Sequence, residues 1–154
     1  MKSLSPQWID TPDMFQKITA ILCEEPTVAV DLESDSLFHY PEKICLIQIA
    51  TRNRIYLVDP IALSADIPLL APVFSDPGIR KILHGSDYDI RSLHRDFGIE
   101  VENLVDTEVA CRFLGLTHSG LDSVLQEKFQ VKLDKRFQKK DWSSRPLSPE
   151  MREY

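Results

Sequence analysis

The chain has 154 residues, 43% of them hydrophobic and 27% charged, values ordinary for a soluble globular protein and enough for one domain with its own core. Its net charge of −6 argues against a generic, whole-surface nucleic-acid binder. "MKSLSPQWIDTPDMF" lacks the continuous apolar run of a secretory signal, and no stretch approaches the roughly 20 apolar residues of a membrane span, so no membrane partner is expected. Cys23, Cys45 and Cys111 are odd in number with no pairing or metal-like spacing; the expectation is a reduced, cytoplasmic setting.

In chain order, "PTVAVDLE" (26–33) is a β-branched run after a proline and reads as a buried strand. "ICLIQIAT" (44–51) and "RIYLVDP" (54–60), separated by a short polar break, read as a hairpin. A short helix is expected around 66–75, then a strand in "IRKILHG" (79–85). "SDYDIRSLHRDFG" carries Ile90, Leu93 and Phe97 at helical spacing and closes on Gly98. "IEVENLVDT" (99–107) holds a short strand, "TEVACRFLG" and "GLDSVLQEKF" two more helices, and residues 130–148 are polar, basic and irregular. The order β-β-β-α-β-α-β-α-α predicts an α/β fold: antiparallel strands first, parallel α/β units after, in one mixed sheet flanked by helices. Ligands in such sheets gather at the carboxyl ends of the strands.

Charge is unevenly placed. Residues 128–145 hold Lys128, Lys132, Lys135, Arg136, Lys139, Lys140 and Arg145 against Asp134 and Asp141, a local +5 that leaves −11 for the remainder. This is either a basic groove beside an acidic site or a solvated face. Asp31 and Glu33 end the first strand two residues apart, on one face, where they are either ligands of a hard divalent cation or solvated acids. Asp89 has a rival in Asp87, and Ser86 three residues before Asp89 resembles a capping box. Asp35 falls beyond the strand and reads as loop. His39, His84, His94 and His118 share no ligand spacing, and His84 reads as a hydrogen-bonded structural residue. No glycine-rich nucleotide loop and no Ser- or Cys-centred nucleophile motif is present.

Together these pieces resemble the ribonuclease D-like 3′–5′ exonucleases, of the type built on four acids (Asp, Glu, Asp, Asp) and a tyrosine within a ribonuclease H-like fold. "VAVDLESDS" is similar to the first motif of that family, "ICLIQIAT" to the next strand, and "KILHGSDYDIRSL" to the second motif, whose spacing from the histidine selects Asp89 over Asp87. "LDKRFQKKDWSSRPLS" is the most specific signature. The third motif is a Tyr-x-x-x-Asp helix, which places its tyrosine at Tyr154 and its aspartate past the end of the sequence. The expectation is a single exonuclease domain over residues 1–154, cut inside that motif and without the family's C-terminal helical nucleic-acid-binding domain.

The resemblance implies a two-metal hydrolase that trims RNA, DNA or both from a single-stranded 3′ end and releases nucleoside 5′-monophosphates. Two divalent cations, Mg²⁺ or Mn²⁺, would be held by Asp31, Glu33 and Asp89, with Asp31 bridging both, while Tyr154 would orient the attacking water. Lys135, Arg136, Lys139 and Lys140 would meet the nucleic-acid backbone. No protein partner is evident. The missing fourth carboxylate supplies the alternative, a weak or inactive module that binds nucleic acid. A helix ending so soon after "LSPE" is expected to hold Tyr154 poorly.

Overall fold

The computed structural model describes residues 4–154. Its elements are β1 (Pro6–Ile9), α1 (Pro12–Leu22), β2 (Thr27–Ser34), β3 (Ile44–Ala50) and β4 (Ile55–Val58). A 3-10 turn (Ile67–Leu70) runs into α2 (Ala71–Ser75), followed by β5 (Arg80–Leu83), α3 (Asp87–Phe97), β6 (Leu104–Asp106), α4 (Thr107–Phe113), α5 (Leu121–Phe129) and α6 (Pro149–Glu153). The strands form one mixed sheet in the order β1-β4-β3-β2-β5-β6. As expected, β2, β3 and β4 are antiparallel neighbours and β5 and β6 join in parallel.

Two elements escaped the sequence reading. β1 pairs in parallel with β4 at the sheet edge, a position that tolerates Pro6. α1 follows at once, with Thr11 extended at the N-cap and Pro12 in the first turn, and it buries Phe15, Ile18 and Leu22. The 3- and 4-residue spacing of those three side chains was the available signal.

Alternation along the strands decides what each face carries. Val28 and Val30 of β2 enter the main core, together with Ile47 and Ile49 of β3 and residues of α1, α2 and α3. Asp31 and Glu33 therefore project from the opposite face. On that face Cys45, Leu46, Leu57, Trp142 and Leu147 form a second, smaller cluster, with Trp8, Ile61, Phe137 and Met151 packed against it. The pairs Glu33–Leu46 and Ser34–Ile44 leave Cys45 as an extra residue, a bulge that rotates it onto this face. α1, α2 and α3 cover one side of the sheet; the start of α5, the irregular segment after it and α6 cover part of the other.

Candidate active site

Asp31 and Glu33 stand on the face opposite the one that α1, α2 and α3 cover. Asp31 opposes Gln48, whose Nε2 donates to its Oδ2 at 3.5 Å, and Glu33 opposes Leu46. Burial pushes the Asp31 carboxyl above its ordinary value. Glu33 is pushed up to about 8, by burial first and then by the charges of Asp31 and Asp89. Asp35, two residues on, is fully buried in an ion pair with Lys43 at 2.5 Å and takes no part in this group.

The first turn of α3 separates the two rival aspartates. Asp87 is exposed and paired with Arg91 at 2.6 Å. Asp89 is half-buried, and burial, followed by Asp31 and Asp106, pushes it up to about 7. The capping box does not form, because the Ser86 hydroxyl donates to Asp106 Oδ2 at 2.7 Å. Asp106, which the sequence reading passed over, joins β5, α3 and α4: it also accepts from the N–H groups of Gly85, Ser86, Glu108 and Val109. Burial alone would raise it, yet the donors of Ser86 and Gly85 hold it well below the usual carboxylate range. Its place before "TEVACRF" was an N-cap signal. His84 is hydrogen-bonded as expected, through Nδ1 to Thr107 Oγ1 at 2.9 Å. Thr107 Oγ1 gives its own proton to the Leu83 carbonyl at 3.0 Å, so Nδ1 is the donor; the buried Nε2 has no partner among the described residues.

Tyr154 reaches this group from α6. Ser148 caps the helix by accepting from Met151 N–H, and Pro149 opens its first turn. The tyrosine ring rests on Phe137 (centroids 5.6 Å apart) and Trp142 (5.9 Å), so it is held by aromatic packing although its helix is short. Burial, then the charges of Glu33, Asp134 and Asp31, raises its phenol pKa. Asp31, Glu33, Gln48, Lys135 and Tyr154 line one cleft of about 500 Å³. Asp89 stands beside the cleft and is coupled to it through charge. The aromatics inside the basic segment, Phe137 and Trp142, were the overlooked signal for the tyrosine's support.

The basic segment divides. Lys135 lines the cleft and pairs with Asp122. Arg136 pairs with Asp134 at 2.6 Å and lies 5.5 Å over the Phe137 ring. Lys139 and Lys140 are exposed, outside the cleft lining, and make no ion pair with the described residues. Arg145 is structural: it chelates Asp59 at 2.7 and 2.8 Å and donates to the carbonyls of Cys45 and Trp142.

The donor chemistry fits a hard divalent cation. Asp31, Glu33 and Asp89 offer oxygen only; burial raises all three, and the charges of neighbouring acids raise Glu33 and Asp89 further, a repulsion that an ion between them relieves. Among the described residues no three acidic, histidine or cysteine side chains already gather to hold an ion, so the side chains would have to be drawn together.

The 3′–5′ exonuclease family model matches residues 6–154. The exosome complex exonuclease RRP6 of Saccharomyces cerevisiae is 38% identical over 149 residues, covering 97% of this chain and 20% of the yeast protein. Among solved structures, the catalytic core of RRP6 from Trypanosoma brucei is 38% identical with a TM-score of 0.94, over 99% of this chain and 42% of that one. Escherichia coli RNase D, described as an exoribonuclease involved in structured RNA processing, is 29% identical with a TM-score of 0.87, over 98% of this chain and 40% of that one. The chain thus spans about a fifth of the yeast relative's length. It belongs to the ribonuclease D-like 3′–5′ exonuclease family.

Proposed function

We propose that this member of the ribonuclease D-like family is a metal-dependent exonuclease that shortens single-stranded RNA from its 3′ end and releases nucleoside 5′-monophosphates. The observation that carries the proposal is the shared cleft, where Tyr154 meets Asp31 and Glu33 although 121 positions separate it from Glu33. Asp31, Glu33 and Asp89 would hold two divalent cations, Mg²⁺ or Mn²⁺. When bound, such cations supply positive charge that neutralises phosphate oxygens and favours ionisation of a water. Tyr154, whose pKa is raised, keeps its phenolic proton at neutral pH and offers one donor and one acceptor to orient the attacking water for in-line displacement. Lys135, at the rim, offers its ammonium to the phosphodiester, and Arg136, Lys139 and Lys140 extend the cationic surface along the strand.

The test is incubation of 5′-labelled single-stranded RNA, and DNA in parallel, with Mn²⁺ or Mg²⁺. A ladder that shortens from the 3′ end, disappears with chelator, and falls by about 100-fold or more in Asp31→Asn is expected. Turnover that Asp31→Asn leaves intact would overturn the assignment. The binding-only reading draws on the dispersed donors. Strand binding with no shortening at any divalent concentration would favour it.

A further inference from the structure

We infer that Trp8, at the far edge of the sheet, is a positioning residue for Tyr154 and acts through the guanidinium of Arg152. The inference rests on the reading that Tyr154 works in the cleft. Register places Trp8 opposite Leu57, Leu57 opposite Gln48, and Gln48 opposite Asp31, so one row of side chains runs from Trp8 to the first acid. Three strand spacings of about 4.8 Å put Trp8 about 14 Å from Asp31, too far to touch the reacting atoms.

What Trp8 does touch is α6. The Arg152 guanidinium lies 4.4 Å from the centroid of the Trp8 ring, and that of Arg145 lies 5.7 Å from the same ring. Trp8 Nε1 donates to Asp10 Oδ2 at 3.0 Å, which fixes the ring plane. Arg152 Nε is buried without a hydrogen-bond partner among the described residues, and the Trp8 ring supplies the cation with a favourable surface. Met151 adds an apolar contact to the same cluster.

A five-residue helix cannot hold its own last side chain in place, because so few backbone bonds do not repay nucleation. Its orientation comes from tertiary contacts. Arg152 and Tyr154 are two residues apart, about 200° around the helix axis, and so leave it on roughly opposite sides. Trp8 grips one side and Phe137 with Trp142 grips the other. Without Trp8 the helix is free to roll about its axis, which moves the phenol away from the acids.

The experiment compares Trp8→Leu, Trp8→Phe and Arg152→Lys in the full chain, each also in a Tyr154→Phe background. Trp8→Leu is expected to lower kcat about three- to tenfold with KM changed less than about twofold. Trp8→Phe keeps a ring face and is expected to restore most of the loss. Arg152→Lys loses the planar stacking cation and is expected to lower kcat in the same direction. In the Tyr154→Phe background the Trp8→Leu effect on kcat is expected to vanish, since both changes act on one group. Equal losses in the two backgrounds would overturn the inference. A second readout needs no turnover: the ring resonances of labelled Tyr154, assigned by their loss in Tyr154→Phe, are expected to shift in Trp8→Leu. Unchanged resonances would also overturn it. If Tyr154→Phe leaves kcat at the wild-type value, the catalytic reading of Tyr154 falls, and the resonance shift alone decides whether Trp8 positions it.

Discussion

Glu33 has a folded-state pKa of about 8 against an ordinary 4.5, because it is buried beneath the charges of Asp31 and Asp89. Between those values the folded chain binds more protons than the unfolded one, so metal-free stability declines as pH rises through that window. Glu33→Gln removes the penalty. The variant is expected to be more stable than wild type by about 1–3 kcal/mol at pH 9 and to differ little at pH 4, in metal-free urea titrations. Added Mg²⁺ is expected to raise the wild-type midpoint more than the variant's, since binding to the folded state is itself stabilising. Asp106 shows the opposite logic. Asp106→Ala leaves the N–H groups of Gly85, Ser86, Glu108 and Val109 unpaired, and about 2–4 kcal/mol of stability is expected to be lost in urea unfolding. The paired acids Asp31 and Glu33 were legible because strand geometry has a period of two. The choice between Asp87 and Asp89 was not legible from the residues alone, since it depends on how the first turn of α3 meets the sheet.

The segment between α5 and α6 is irregular and basic, as its composition foretold. Composition could not say which cations face solvent, because that depends on partners distant in sequence. Arg145 is bound to Asp59, 86 positions away, whereas Lys139 and Lys140 remain exposed. Replacing both lysines with glutamate is expected to weaken single-stranded RNA binding and to flatten the slope of log affinity against log salt by about 0.7 for each phosphate no longer neutralised. Fluorescence anisotropy at several salt concentrations measures this, and an unchanged slope would assign the lysines to the solvated face. β1 was missed for a different reason: a four-residue edge strand beginning at proline carries almost no pattern of its own. It exists because β4 offers it a partner.

At the scale of the molecule, one sheet serves two unequal cores. Among the described residues the larger holds twenty buried side chains and the smaller five. The smaller one fastens the basic segment and α6 to the strands, with the Arg145–Asp59 chelate as its polar anchor. Burial alone would raise the Asp59 pKa, but hydrogen bonds and charge from Arg145 hold it below its ordinary value. Its contribution to stability is therefore present above about pH 4 and is lost as pH falls through the lower, folded-state value. Arg145→Met leaves that carboxylate buried without a counter-charge, with only the N–H groups of Ile61 and Ala62 as donors, and is expected to cost about 3–5 kcal/mol in urea unfolding. Both cores were partly visible in the sequence as alternating apolar positions, but their division between the two faces was not, since the Cys45 bulge shifts the phase of β3. Two cores of such different size need not melt together. The smaller cluster, with little secondary structure of its own, is expected to open as a separate low-energy unit while the sheet remains intact. Hydrogen exchange would then show Trp142 and Met151 amides exchanging well before those of Ile47 and Ile49. Because Tyr154 is fastened to that unit, heating is expected to disengage the tyrosine a few degrees below the global transition, so the fold outlives its candidate site.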